Sequence, residues 1–240
     1  MPYNLAMYGV NDVFDYASDL ANPRKGGVEG VLLADRWHRA TLWTAFAVNL
    51  PFVVLLLAAG SPAADAVLCV TLFAVVAYSA PPMRFKERPF LDSVTSSTHF
   101  VGPAVFGVAL AGGSFTTTVV LVLGAYFLWG CASHAFGAVQ DVRADRAAGI
   151  GSIATVLGAR RTVRLSAAAY AAAVLLPLGA GWPAALAALV PVPYLASVLQ
   201  FWDIDDEHCE LAHRGWRRFL WLNLVMGFLI TQALIVTALR

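Results

Sequence analysis

Charged residues are scarce in this 240-residue chain, at 13% of the total, whereas hydrophobic residues make up 59%. An ordinary soluble domain carries about 25% charged residues. Because too few charges remain to cover a water-facing surface, the composition predicts that the chain is embedded in a lipid bilayer. The net charge of +1 gives no basic face of the kind that nucleic-acid binding needs, so we expect no nucleic-acid partner.

Cysteine is also rare. Cys69, Cys131 and Cys209 lie far apart and lack the spacing of metal ligands. We interpret them as small buried apolar residues.

Long apolar stretches dominate the remaining sequence. Each approaches the length of about 20 residues that spans the hydrocarbon core as a helix, and Gly, Pro and Ser separate them. With a short opening helix, they predict an all-α, polytopic transmembrane helix bundle of about eight helices, forming one membrane-embedded domain over residues 1–240. The stretches lie near 40–60, 62–82, 94–112, 115–139, 163–181, 183–201 and 218–239.

The cationic residues are confined to alternate connections between these stretches. Of the 16 Lys and Arg residues, 15 lie in four connections, and only Arg240 lies elsewhere. Since cytoplasmic loops of membrane proteins are enriched in Lys and Arg, we expect an integral protein of the cell (plasma) membrane with its charged loops and active site on the cytoplasmic side.

An acidic motif occupies the first part of the chain. Asn11, Asp15 and Asp19 recur every four residues, which places them within about 80° of arc on a helix. Asp12 lies just outside this row. A second motif, Asp141 and Asp145, repeats the spacing after a long apolar stretch.

Carboxylates stacked on one helical face repel each other. A bound divalent cation turns this repulsion into a net attraction, because both carboxylates interact with the cation. Mg²⁺ binds one or two carboxylates together with phosphate oxygens, so the two motifs together are suited to holding ions around a diphosphate. The alternative is a solvated helix end. Two matching motifs, each followed by basic residues, favour the functional interpretation.

Basic residues follow the first acidic motif and also lie in the second charged connection. Arg24 and Lys25 lie in a turn after the aspartates, and Arg84 and Lys86 lie in the segment that begins at Tyr78. Both side-chain types bind phosphates, Arg through a fork of donors and Lys as a point charge. The alternative is that they only anchor the loops at the membrane surface.

The two acidic motifs resemble the paired aspartate-rich motifs of UbiA-type intramembrane prenyltransferases, and Tyr78–Lys86 resembles a loop of that family. A narrower resemblance, to lycopene elongases of C50 carotenoid biosynthesis, is carried by residues 4–15, 22–30, 133–142 and 149–158. These enzymes add C5 units from dimethylallyl diphosphate to lycopene. The family has nine transmembrane helices, and this chain begins within the second, so we expect further sequence upstream of Met1.

The resemblance implies a role for each candidate residue. Asp15 and Asp141 become the catalytic residues of a Mg²⁺–diphosphate site. The predicted metal ligands are Asn11, Asp12, Asp15, Asp19, Asp141 and Asp145, and the predicted diphosphate contacts are Arg24, Lys25, Arg84 and Lys86. Tyr8, Tyr78 and His134 are candidates for the acceptor pocket, although ordinary packing explains such residues equally well.

The resemblance implies partners as well: dimethylallyl diphosphate, lycopene or another lipophilic acceptor, and the bilayer. Two alternatives remain open at the level of sequence. One is a UbiA-type enzyme with a quinone precursor or another aromatic acceptor, and the other is a truncated, non-catalytic subunit of a heteromeric elongase.

Overall fold

A computed structural model describes residues 2–21 and 32–238, and across these ranges the chain is helical without strands. Short 3₁₀ turns connect several of the helices. The α-helices are α1 (Pro2–Phe14), α2 (Tyr16–Ala21), α3 (His38–Ala59), α4 (Pro62–Ser79), α5 (Leu91–Leu110), α6 (Thr117–Val139), α7 (Val142–Ala148), α8 (Ile153–Leu157), α9 (Ala159–Leu175), α10 (Val192–Leu199) and α11 (His213–Ala238).

The predicted all-α membrane bundle is confirmed. Within the part of the chain that the structure describes, four helical segments are long and apolar enough to cross a membrane. Helical segments also occupy the other predicted apolar stretches. The membrane-crossing candidates are Asp35–Ala59, Pro62–Ser79, Thr117–Val139 and Ala159–Ala180.

One predicted stretch is not a single helix. The stretch 183–201 is divided into a 3₁₀ segment, Ala184–Leu189, and α10. Pro191 is the N-cap of α10 and Pro193 lies in its first turn, which are positions where a missing N–H costs no helical hydrogen bond. The short helices α7 and α8, in the third charged connection, were not predicted.

Polar residues define where the long helices begin. Ser61 accepts a hydrogen bond from the Ala64 N–H at the start of α4, and Pro62 follows it at the first helical position. Thr116 accepts from the Val119 N–H at the start of α6. Such N-caps satisfy N–H groups that have no partner within the helix.

The chain divides into two compact units, one of residues 1–86 and 98–114 and the other of residues 87–97 and 115–240. In the first unit, α1 packs against α3 and α4. Gly9 is buried, and a Cβ atom there would lie 2.9 Å from Cγ2 of Thr41. Similarly, a Cβ at Gly102 of α5 would lie 2.5 Å from Oγ1 of Thr71 in α4. Small residues thus bring these helices close together, as in membrane proteins generally.

The second unit has its core between α6, α9, α10 and α11. Val139, Val163 and Tyr170 expose at most 1% of their surface there. At Gly137 of α6, a Cβ atom would lie 2.9 Å from the ring of Trp216 in α11. This close packing fixes the end of α6, directly before the second acidic motif. That all 240 residues act as one domain remains a prediction.

Candidate active site

The first acidic motif lies where α1 meets α2. Asp15 is a turn residue between the two helices. Its N–H nevertheless donates to the Asn11 carbonyl at 2.9 Å, and the Asp19 N–H donates to the Asp15 carbonyl at 2.8 Å. These i→i−4 bonds carry the helical path through the junction. Asn11, Asp15 and Asp19 therefore follow one another at intervals of one turn.

The carboxylates of this motif are withdrawn from solvent. Asp15 and Asp19 expose 7% and 9% of their surface, while Asp12 is half-buried. Lys86 forms an ion pair through Nζ with Oδ1 of Asp15. A buried carboxylate needs such compensation, because desolvation of a charge costs on the order of several kcal/mol. A cation predicted to bind diphosphate thus lies against a predicted metal ligand.

Arg84 is fixed in the loop that follows α4. Its φ is +40°, in the left-handed region that non-glycine residues adopt rarely. Nη1 of Arg84 donates to the carbonyl oxygen of Phe14 at 3.2 Å, and Nδ2 of Asn11 donates to Oγ of Ser79 at 2.9 Å. Strained backbone of this kind persists where its surroundings hold it, often at binding sites. Both contacts fasten the segment 79–84 to the end of α1, beside Asp15.

The second acidic motif lies at the junction of α6 and α7. The Asp141 N–H donates to the Ala138 carbonyl at 3.2 Å, and the Asp145 N–H donates to the Asp141 carbonyl at 2.8 Å. Helix α7 ends at Gly149, whose φ is +70°, and the Ile150 N–H donates to the Asp145 carbonyl at 2.8 Å. The left-handed glycine and the N–H of the next residue together form a C-terminal cap that ends the helix. The two aspartates thus lie one turn apart on a short helix with a defined end.

The remaining predicted site residues are distributed differently. Tyr8 is 57% exposed. Tyr78 is half-buried, and its ring meets that of His99 edge-on at a centroid distance of 5.1 Å. Arg24 and Lys25 lie outside the described residues.

His134 lies on α6 in the second unit, near a buried carboxylate that sequence reasoning missed. Its Nε2 is 3.9 Å from Oδ2 of Asp92. Asp92 is fully buried and accepts hydrogen bonds from the Ser93 N–H and the Ile153 N–H, both at 2.7 Å. The Asp92 carboxylate therefore joins the start of α5 to the start of α8.

The donor chemistry of both motifs fits magnesium. Among the described residues, no group of three or more His, Cys, Asp or Glu side chains is arranged to hold a metal ion alone. Mg²⁺ does not require such a cage, since it typically takes one or two carboxylates and completes its shell with water and phosphate oxygens. Asp15 and Asp19 supply hard oxygen donors in the first unit, and Asp141 and Asp145 supply them in the second.

Comparison with known proteins identifies the family. Residues 1–236 match the UbiA prenyltransferase family. The chain is also 48% identical over 235 residues to the lycopene elongase/hydratase of Corynebacterium glutamicum, covering 98% of this chain and 82% of that protein. The chain belongs to the UbiA prenyltransferase family.

Two further proteins are similar to this UbiA-family chain, one in sequence and one in fold. It is 52% identical over 240 residues to the C(50) beta-cyclic carotenoids biosynthesis protein LbtBC of Dietzia sp., covering 100% of this chain but 56% of that protein. A solved structure of a UbiA homolog from Archaeoglobus fulgidus, bound to DMAPP and Mg2+, has a TM-score of 0.65 at 17% identity, covering 94% of this chain and 86% of that chain. The second likeness concerns the fold alone.

These findings confirm the predicted UbiA-type prenyltransferase and its resemblance to lycopene elongases. The assignment of individual residues to the UbiA-type site stays a prediction, as does the side of the membrane on which the charged loops lie.

Two buried or anchored carboxylates were not predicted. Asp92 lies in the first turn of α5. A charged residue at the start of an apolar stretch suggests only that a helix begins there, so its burial was not predicted. Asp206 lies in a loop far along the chain and accepts a hydrogen bond from the Ala159 N–H at 2.6 Å. No local sequence pattern pointed to Asp206; in the structure, its partner Ala159 follows Gly158, which has a φ of +78° and is the N-cap of α9.

Proposed function

We propose that this chain transfers the dimethylallyl group from its diphosphate to the end of lycopene, in a Mg²⁺-dependent reaction that leads to C50 carotenoids. The observation that carries the proposal is the 48% identity to a lycopene elongase/hydratase across 98% of the chain. The family match over residues 1–236 spans both acidic motifs and the loop that holds Arg84 and Lys86.

The first unit supplies cations for the diphosphate. Lys86 lies against Asp15, so its ammonium group is held at a predicted metal ligand, and we assign it to a phosphate oxygen of the substrate. Arg84 is fixed at the end of α1 by its bond to the Phe14 carbonyl. A guanidinium group binds phosphate with a fork of N–H donors.

In this proposal, each acidic motif supplies carboxylates that bind Mg²⁺ and, through it, diphosphate. Its support is the matched spacing of Asp15 and Asp19 with Asp141 and Asp145, together with the family membership. Bound Mg²⁺ supplies neutralisation of the diphosphate charge, which makes diphosphate a better leaving group. The carboxylates hold and orient the ions, while Asn11, fixed by Ser79, and Asp12 line the same end of α1.

The chain must also exclude water from the allylic cation, because water would capture it. The low charge and high apolar content of the chain support a dry site. Tyr8, Tyr78 and His134 remain candidates for acceptor contacts, and aromatic faces of this kind stabilise cations. Diphosphate leaves as the allylic C–O bond breaks, the acceptor double bond attacks the resulting cation, and loss of a proton or capture of water by the product cation ends the transfer.

Lycopene dissolves in the bilayer, so a membrane enzyme with lateral access suits it. We place the charged loops and the diphosphate site on the cytoplasmic side, from the confinement of Lys and Arg to alternate connections.

Incubation of membranes from an expressing host tests the acceptor. Labelled dimethylallyl diphosphate is supplied with lycopene in one arm and with an aromatic acid in the other. We expect label in elongated lycopene and none in the aromatic acid. Label in the aromatic acid alone would replace lycopene with an aromatic acceptor, whereas label in neither acceptor would remove the proposed transfer.

A further inference from the structure

A loop of the same unit that contains Asp206 contacts the helix that follows the second acidic motif. Arg146 follows Asp145 directly, and its Nη1 forms an ion pair with Oδ2 of Asp206 at 2.5 Å. Its Nε and Nη2 both donate to the Thr155 carbonyl, at 2.9 and 2.8 Å. All three guanidinium nitrogens of Arg146 are thus engaged, a forked geometry that lysine cannot reproduce.

Asp206 is engaged through both of its carboxylate oxygens. Oδ2 pairs with Arg146, and Oδ1 accepts the Ala159 N–H at the start of α9 at 2.6 Å. The backbone at Gly158 passes so close that a Cβ atom there would lie 3.0 Å from Oδ1 of Asp206. The carboxylate therefore ties α7 to the first turn of α9.

Further contacts join α7 and the residue before it to the same part of the chain. Nη1 of Arg143 donates to the Glu207 carbonyl at 3.4 Å. Oε1 of Gln140 lies 2.8 Å from Nδ1 of His213, at the start of α11, and Sγ of Cys209 donates to the Gln140 carbonyl at 3.8 Å. The segment 206–213 thus contacts Gln140, Arg143 and Arg146 in turn.

The anchors and Asp145 occupy different sides of α7. At about 100° per residue, Arg143 and Arg146 lie about 60° apart on this helix, and Asp145 lies about 130° from their midpoint. Asp141 is the residue directly before α7. Arg143 and Arg146 thus fasten one side of α7, and Asp145 lies on another.

We propose that Asp206, acting through Arg146, is a positioning residue for Asp141 and Asp145. The inference rests on the proposed function, in which these two aspartates hold the Mg²⁺ ions of the diphosphate site. Ion binding by two carboxylates requires both to be held in one geometry, and Asp206 supplies that constraint from a loop 60 residues after Arg146.

The test uses Asp206→Asn in the purified full chain. The amide oxygen of Asn can still accept the Ala159 N–H, but its NH₂ group faces the donors of Arg146 and removes the ion pair. Asp203→Asn is the matched control, because Asp203 is exposed and pairs with Arg164 of α9 at 3.2 Å. Rates are measured against Mg²⁺, dimethylallyl diphosphate and acceptor concentration, and amide hydrogen exchange is measured over 141–149.

We expect Asp206→Asn to raise the half-saturating concentrations of Mg²⁺ and of dimethylallyl diphosphate about tenfold or more, with the acceptor KM unchanged and faster exchange over 141–149. Arg146→Lys should show the same pattern, and it carries the comparison if Asp206→Asn fails to fold. Asp203→Asn should match the wild type. Unchanged half-saturation and exchange in both variants, or an equal change in Asp203→Asn, would overturn the proposal.

Asp141→Asn separates this inference from the proposed function. Retained activity in Asp141→Asn would remove the metal role of that residue and the inference with it. Lost activity in Asp141→Asn, combined with wild-type behaviour of Asp206→Asn, would overturn the positioning role alone.

Discussion

Lys86 and Asp15 form an ion pair that joins the loop after α4 to the junction of α1 and α2. The Asp15 side chain is 9% exposed and that of Lys86 14%, so neither charge is well solvated. The pair accounts for a carboxylate withdrawn from water in an apolar chain. In the proposed function, stability and diphosphate binding both depend on these two side chains.

Lys86→Met should therefore lower thermal stability as well as activity. Removing one partner of a buried pair leaves an uncompensated charge, at a cost of about 3–5 kcal/mol. Thermal unfolding in detergent measures the loss. The double variant Lys86→Met/Asp15→Asn should regain most of the stability, since no buried charge remains, but not the activity. A double variant as unstable as Lys86→Met would show that the pair is not the cause.

Gly158→Ala should destabilise the second unit. The residue has a φ of +78°, and a Cβ atom would lie 3.0 Å from Asp206, so a side chain meets both backbone strain and a close contact. A loss of about 1–3 kcal/mol is expected for a non-glycine residue held in such a conformation. Thermal unfolding checks it.

Gly107→Ala is the matched control for that substitution. Gly107 lies within α5, and a Cβ atom there would have nothing within 4 Å. Alanine is the better helix former by about 1 kcal/mol, so this variant should be neutral or slightly more stable. Equal destabilisation by both substitutions would refute the special role of position 158.

Asp92→Asn should weaken the joint between α5 and α8. The buried carboxylate accepts two N–H groups at 2.7 Å, and an amide has one oxygen with which to accept them. Leaving a buried N–H without a partner costs about 1–3 kcal/mol. Thermal unfolding should show this loss in Asp92→Asn and not in the exposed Asp203→Asn; equal stability of Asp92→Asn and the wild type would contradict it.

Asp206 should contribute to stability in a pH-dependent way. Partial burial opposes its ionisation, but the hydrogen bonds from Ala159 and Arg146 outweigh this and hold the pKa of Asp206 below the ordinary value of 3.8. Because the folded-state pKa is the lower one, the contribution is complete well above pH 3.8 and is lost as pH falls through the folded-state pKa. The stability difference between wild type and Asp206→Asn should shrink on acidification; a constant difference would contradict the assignment.

The sequence predicted those features of the molecule that repeat along it. Apolar length located the membrane helices, because the hydrocarbon core sets their size. The spacing of Asn11, Asp15 and Asp19 predicted one row, because a helix returns to the same face about every four residues. The break in 183–201 was missed, although Pro191 and Pro193 mark it.

Features that depend on contacts distant in sequence could not be predicted in this way. Asp92 and Asp206 accept N–H groups from residues 61 and 47 positions away, and no local pattern encodes those partners. From the sequence, the segment 149–158 was noted only for its resemblance to lycopene elongases, and no structure was predicted for it. In the structure, Gly149 closes α7, Ser152 forms a capping box with Thr155, and Gly158 makes room for Asp206.

Product analysis of the purified chain in liposomes tests the central claim most directly. Wild type, Asp15→Asn and Asp141→Asn are each given labelled dimethylallyl diphosphate, lycopene and Mg²⁺. We predict labelled elongated lycopene from the wild type and none from either variant, under conditions in which each variant is shown to be folded. Wild-type yields from Asp15→Asn or Asp141→Asn would contradict a site in which these carboxylates hold the metal-bound diphosphate.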